Sequence, residues 1–288
     1  MSKVWLITGS ANGLGRSIAE AVLNSGASLV ATARNTATLG DLKERFGDRI
    51  LIVPLDVTDA DAAHDAVKQA VDTFGRLDVL VNNAGYGQVS PFEQTDERDF
   101  YAQIDTNFFG VVNLIRAALP VMRGQRSGHI INISSVGGRT GTPGLSAYQS
   151  AKWAVGGLTE VLAQEVAPFG VKVIAVEPGG MRTNWGSTAR NNIPALLPEY
   201  EASVGALTKI LRAFVGNEVG DPEKISQVIV DLAEQETLPA HLLLGNDALY
   251  VFNEAEARRT KAAAEWEHVS RSTDFDDSNL DALKALRS

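Results

Sequence analysis

Val4-Trp5-Leu6-Ile7-Thr8-Gly9-Ser10-Ala11-Asn12-Gly13-Leu14-Gly15 runs from four apolar residues into a turn holding three glycines. The apolar run reads as a short buried strand. From Ser17 to Leu23 the apolar residues Ile18, Ala19 and Val22 recur on one helical face. A glycine-rich turn between a strand and a helix lets backbone N–H groups approach a diphosphate at the positive end of the helix. The spacing is G-x-x-x-G-x-G rather than G-x-G-x-x-G. The turn alone is therefore equally compatible with an ordinary strand-to-helix connection, and its setting between strand and helix carries the reading.

Outward from this turn the same alternation repeats. Ala27 to Ala33, Ile50 to Val53, Leu77 to Val81, His129 to Ile133 and Val171 to Val176 read as further strands. Between them lie helical patterns over Asp41 to Phe46, Asp59 to Phe74, Asp99 to Met122 and Tyr148 onward. Strands and helices alternating at steps of roughly 25 residues predict right-handed βαβ units and a parallel sheet. The helix from Asp99 carries Asn107-Phe108-Phe109-Gly110 in its middle. Asn and Gly are poor interior helix residues, so a local break is expected there.

A second stretch carries chemistry. Tyr148 and Lys152 are four residues apart, which places both on one face of a helix. A free phenol has a pKa of about 10, and a fixed ammonium beside it favours the phenolate. The pair suits proton transfer near neutrality. Ser135 follows a strand and lies 13 residues before Tyr148, where its hydroxyl would hold a carbonyl or alkoxide oxygen. Taken alone, Tyr148 and Lys152 are also compatible with an exposed helix pair. Arg34 stands 19 residues after Gly15, where a dinucleotide site places an acid for a ribose 2′-hydroxyl or an arginine for a 2′-phosphate. No carboxylate occupies that strand end, though a solvated surface arginine fits the sequence too.

The 288 residues carry a net charge of −9, with 44% apolar and 21% charged residues. No block of Lys and Arg is present, which argues against nucleic acid and anionic membrane partners. The chain has no cysteine, which excludes disulfide and thiolate chemistry and fits a cytoplasmic protein. No signal-peptide core or membrane-length apolar run is visible, so no membrane association is expected. The four histidines, His64, His129, His241 and His268, show no ligand spacing, so no metal is expected.

Thr8-Gly9-x3-Gly13-x-Gly15, Asn82-Asn83-Ala84-Gly85, Asn107, Ser135, Tyr148-x3-Lys152 and Pro178-Gly179 occur in that order. In this the chain resembles the short-chain dehydrogenase/reductase family over about residues 1–183. The resemblance implies a single α/β domain with a Rossmann-type, doubly wound parallel sheet and helices on both faces. It implies NAD(H) or NADP(H) as cofactor and hydride transfer between a carbonyl and an alcohol. It assigns Tyr148 as proton donor or acceptor, Lys152 as its modulator and ribose ligand, and Ser135 as the holder of the reacting oxygen. Asn107 would keep a water relay behind Lys152. Gly9, Asn12, Gly13 and Leu14 would surround the diphosphate, and Asp56 and Val57 the adenine. Asn83 and Ala84 would lie along the ribose, while Met181 and Thr183, after Pro178 and Gly179, would flank the carboxamide.

The catalytic domain is expected over about 1–250, with a substrate loop over about 184–220. Trp185, Ile193, Leu196 and Leu197 make that loop apolar. An apolar cover would exclude water from hydride transfer, but the same residues would equally extend the core. Pro222 to Ala233 reads as a helix and His241 to Leu244 as a last strand. A charged helix, about Asn253 to Ser270, and a polar tail complete a C-terminal extension over 251–288. The expected protein is an NADP(H)-preferring oxidoreductase, with NAD(H) as the alternative cofactor. Its partners would be a small, hydrophobic ketone or secondary alcohol and further copies of itself, as dimer or tetramer. Two rivals are a non-catalytic NADP(H)-binding regulator and a sugar-nucleotide epimerase or dehydratase. The intact Ser135, Tyr148, Lys152 and Asn107 argue against the first. The short span after Thr183 argues against the second.

Overall fold

A computed structural model of the chain describes residues 2–183, 193–214, 216–275 and 278–285. Seven strands form one parallel sheet: β1 (Val4–Ile7), β2 (Ser28–Ala33), β3 (Ile50–Pro54), β4 (Val79–Asn82), β5 (Gly128–Ile133), β6 (Val171–Pro178) and β7 (His241–Leu244). Their order is β3-β2-β1-β4-β5-β6-β7. Because β1 lies between β2 and β4, the chain reverses direction across the sheet at that point. All pairs are parallel, so every strand delivers the residue after its carboxyl end to the same edge. In such sheets that edge, at the reversal, is where ligands bind.

Side chains alternate between the two faces. Trp5 and Ile7 join one buried cluster with α1 (Gly13–Asn24) and α2 (Gly40–Phe46). Leu6, between them, joins the other with α3 (Ala60–Phe74). Beyond α4 (Glu97–Ile104), the helices α5 (Gly110–Gln125) and α6 (Ser146–Val166) also cover this second face. The central strands are buried on both sides, as their near-continuous apolar sequences require.

The helix expected from Asp99 to Met122 does not break. It widens instead into a π-helical turn over Asp105–Phe109, between α4 and α5. Asn107 explains the widening. Its side-chain Nδ2 donates to the Gln103 carbonyl at 2.8 Å and to the Tyr86 carbonyl at 2.8 Å, taking an oxygen the helix would otherwise use.

After β6 the described chain resumes with short 3₁₀ and π turns over Pro198–Tyr200 and Glu201–Gly205, then α7 (Ala206–Phe214) and α8 (Pro222–Leu232). Asp221 caps α8 by accepting from Glu223 N. Beyond β7, α9 (Asn246–Glu265) starts seven residues earlier than the expected charged helix and is followed by α10 (Glu267–Arg271) and α11 (Asp281–Ala285).

Candidate active site

The glycine turn is held by Thr8, immediately after β1. Its Oγ1 accepts from Asn83 N and Ala84 N, both at 2.9 Å, while Asn83 Nδ2 donates to the Thr8 carbonyl at 2.9 Å. The first connection is thereby tied to the one after β4, across the reversal point. Gly9 and Gly13 take φ of +69° and +54°, which side chains rarely adopt. A Cβ on Gly15 would collide with the Gly9 carbonyl and Asn83 Nδ2. Asn12 precedes α1 without a side-chain cap, and the first turn carries no acid. The turn and the uncapped helix start together fit a diphosphate.

Arg34 is exposed just past the end of β2. With Asp56, Thr58, Tyr86, Ala102, Asp105 and Thr106 it lines a cleft of about 460 Å³. Asp56 accepts from Thr58 N at 3.0 Å and Thr58 Oγ1 at 2.8 Å, contacts that with the nearby Arg34 charge hold its carboxyl below the ordinary value. Val57 is buried against α5, where Gly110 leaves it room. Tyr86 and Asp105 in this cleft were not singled out from sequence, because neither stands at a recognisable spacing.

The reacting groups meet past the ends of β4 and β5. Tyr148 and Lys152 lie on α6, with Lys152 Nζ 5.7 Å from the Tyr148 ring centre. Ser135 Oγ accepts from Gly137 N at 3.0 Å and hydrogen-bonds the Tyr148 hydroxyl. Asn107 is fully buried, and its Oδ1 accepts from Tyr86 N at 3.2 Å. A Cβ on Gly85 would lie 3.6 Å from Lys152 Nζ and would also press on Asn107 Oδ1, so all three converge.

The titration of the pair differs from the expectation of a phenol lowered by its lysine. Burial pushes Tyr148 up, and the Ser135 hydrogen bond draws it partly back. Burial also pushes Lys152 down, to about 8. The Lys152 ammonium donates to the Ile133 carbonyl at 2.8 Å.

Pro178 is buried, and the turn after it runs through Gly179 to Thr183. Met181 bridges to Gly220, and Thr183 lies over the glycine turn, since a Cβ on Gly13 would be 3.7 Å from Thr183 Cβ. Behind this turn is a cluster that sequence spacing did not reveal. Glu177 is 1% exposed and accepts from His241 Nδ1 at 2.7 Å. His241 Nε2 reaches Glu160 Oε1 at 2.8 Å, and Arg139 approaches Glu177 at 3.7 Å.

Part of the expected substrate loop, residues 184–192 with Trp185, lies outside the described residues. Ile193 and Leu196, with Tyr200, Leu207 and Leu211, pack around Val89 and Val204, in a cluster separate from both sheet cores. Gln94 fastens this segment, donating to the Ala195 carbonyl and accepting from Leu197 N, both at 3.0 Å. Among the described residues no group of acids and histidines could hold a metal, and no helix is long and apolar enough to cross a membrane.

A family model described as short chain dehydrogenase matches residues 3–194. The oxidoreductase BOA17 of Botryotinia fuckeliana is 46% identical over 271 residues, covering 94% of this chain and 98% of that protein. The 3-ketodihydrosphingosine reductase of Bacteroides thetaiotaomicron is 36% identical over 245 residues, covering 84% and 88%. Among solved structures, a short-chain dehydrogenase from Streptomyces avermitilis superposes with a TM-score of 0.87 at 40% identity, covering 96% of this chain and 100% of that one.

Proposed function

The chain belongs to the short-chain dehydrogenase family of NAD(P)-binding oxidoreductases acting on small molecules, and from that premise we propose that it interconverts a hydrophobic ketone and a secondary alcohol with NADP(H). The observation that carries the reading is the convergence of Ser135, Tyr148, Lys152 and Asn107 beside the glycine turn. The nicotinamide, when bound, supplies or accepts the hydride. Ser135 holds the substrate oxygen. In reduction Tyr148 donates its proton to that oxygen as the carbonyl carbon gains the hydride, and in oxidation it withdraws it. Lys152 adds positive charge behind the phenol, and Asn107 fixes the backbone around it. Gly9, Asn12, Gly13 and Leu14 hold the diphosphate, Asp56 and Val57 the adenine side. Asn83 and Ala84 hold the ribose, and Pro178, Gly179, Met181 and Thr183 the carboxamide.

Arg34 supports the choice of NADP(H), as a guanidinium at the end of β2. The apolar cover of Ile193 and Leu196 supports a hydrophobic substrate, and so does the name of the Bacteroides relative, a reductase of a keto compound. The same reading takes the protein as cytoplasmic and as a homo-oligomer, the assembly supported by Tyr101 and Phe109, which are 58% and 49% exposed. A purely regulatory dinucleotide sensor would have no use for the four converged groups.

The test is a panel of ketones and secondary alcohols with both cofactors, followed at the absorbance of the reduced form. Turnover of aliphatic or aromatic ketones with NADPH is expected. Tyr148→Phe should lower it by about 10²–10⁴ and leave NADPH binding intact. Near-normal turnover in that variant would reject Tyr148 as the proton donor.

A further inference from the structure

The turn after Pro178 is held from behind by a residue of the C-terminal extension. Asp247 lies in the first turn of α9, and its Oδ2 accepts from Gly180 N at 2.7 Å. One residue earlier, Gly179 N donates to the Leu244 carbonyl at 3.0 Å. Two consecutive amides of the turn are therefore satisfied by the end of β7 and the start of α9. Gly245 makes this possible. At φ +110° it reverses the chain so that α9 folds back onto the turn. The fit leaves no slack, because a Cβ on Gly179 would collide with the Asp247 carboxylate. From the other side, Gly220 N donates to the Gly180 carbonyl at 2.8 Å, and Arg182 Nε donates to the Glu218 carbonyl at 3.0 Å. The turn is thus clamped between α9 and the segment before α8, with Thr183 held over Gly13.

We propose that Asp247 is a positioning residue for the cofactor: its carboxylate fixes the 178–183 turn at the height from which Met181 and Thr183 meet the nicotinamide. This deepens the reading under Proposed function and rests on it. A charged acceptor makes a shorter, stronger bond to a backbone N–H than a neutral one, and the bond replaces water at an amide the turn would otherwise expose. Losing it lets the turn rise without disturbing either sheet core, because Asp247 contributes no side chain to them. The consequence is weaker cofactor binding with the Tyr148 site intact.

The test compares Asp247→Ala, Asp247→Asn and Gly179→Ala with the wild-type protein. NADPH binding is read by fluorescence titration, amide hydrogen exchange over 178–183 by mass spectrometry, and thermal unfolding in parallel. Asp247→Ala should weaken NADPH binding about tenfold, the scale of one hydrogen bond to a charged group. It should also speed exchange over 178–183 by at least as much, while exchange in β5 and β6 stays unchanged. Asp247→Asn keeps an acceptor oxygen and should restore most of both. Gly179→Ala displaces the carboxylate without removing it and should copy Asp247→Ala. The double variant should then be no worse than either single one, the non-additivity of a shared contact. Wild-type NADPH affinity and unchanged exchange in Asp247→Ala would overturn the proposal. If Asp247→Ala does not fold, Asp247→Ser, whose shorter side chain withdraws the acceptor from Gly180 N, decides by the same two readouts. Failure of the wild-type protein to bind either nicotinamide cofactor would instead sink the family-site reading on which the proposal stands.

Discussion

On the proposed reading, Arg34 carries the cofactor choice on a single charge. It stands exposed beside Asp56 at the end of β2, with no acid at the strand end to hold a 2′-hydroxyl or repel a 2′-phosphate. A forked contact between a guanidinium and a phosphate contributes about 1.5–3 kcal/mol, or roughly ten- to a hundredfold in affinity. Arg34→Ala should therefore weaken NADPH by that factor and leave NADH nearly unchanged, measured by parallel titrations. Salt should weaken NADPH selectively, since an exposed contact is screened. Equal affinity of the wild-type protein for both cofactors at moderate salt would reduce Arg34 to a surface residue. Arg16, also basic and close to the turn, does not compete for this role. Its guanidinium is held by Glu20 on α1 itself and by the Thr38 carbonyl and Asp41, which fasten α1 to the segment after β2 and the start of α2.

At the scale of elements, His241 joins the helix of Tyr148 to the strand of Pro178. It bridges Glu160 on α6 and Glu177 on β6, with Arg139 as the further charge facing the cluster. The hydrogen bond to Glu177 comes first among the effects that raise its pKa, Glu160 adds to them, and burial and Arg139 oppose. A histidine whose folded pKa is raised stabilises fully below its unfolded value of about 6.5. That stabilisation is lost as pH rises through the folded value. His241→Gln should thus cost about 1–3 kcal/mol at pH 5.5 to 6, the penalty of a buried group losing its partner. The gap from wild type should narrow as pH rises through the folded value, as followed by chemical denaturation across pH. A gap independent of pH would mean that His241 acts by packing alone.

For the molecule as a whole, the C-terminal extension divides into two parts. Helix α9 touches the core through Ala248 and Ala255 and reaches the 178–183 turn through Asp247. Beyond it the described residues are exposed, including Phe275 at 84% and Leu280 at 59%. Truncation after Ser272 should leave the unfolding midpoint and NADPH affinity unchanged, since the described side chains beyond it bury no apolar surface. Calorimetry and cofactor titration check this. Size-exclusion chromatography of the same variant reads the assembly, and a lost oligomer would show that the tail packs against a second copy.

Sequence determined the local elements and their chemistry. Runs of two-sided apolar residues separated by helical periods are local patterns, so the strands from Val4, Ile50, Val171 and His241 and most helices between them were legible within a few residues, whereas α7, inside the expected substrate loop, was not. The same holds for Tyr148 and Lys152, whose spacing of four defines a shared face before any packing exists. The tertiary structure decided what those residues meet. Asn107 was expected to break its helix, yet the helix only widens into a π turn, with the Asn107 amide donating to the Gln103 carbonyl inside it and to the Tyr86 carbonyl, 21 residues away. The lysine was expected to lower its tyrosine, yet burial in the fold pushes the phenol up. Asp247 and His241 could not be read at all. Their partners lie 67 and 64 residues away, and only the register of β6 against β7 brings them within hydrogen-bonding distance. Spacing in a chain specifies which side chains share an element. Which elements touch is set by how their apolar faces bury one another across the sheet.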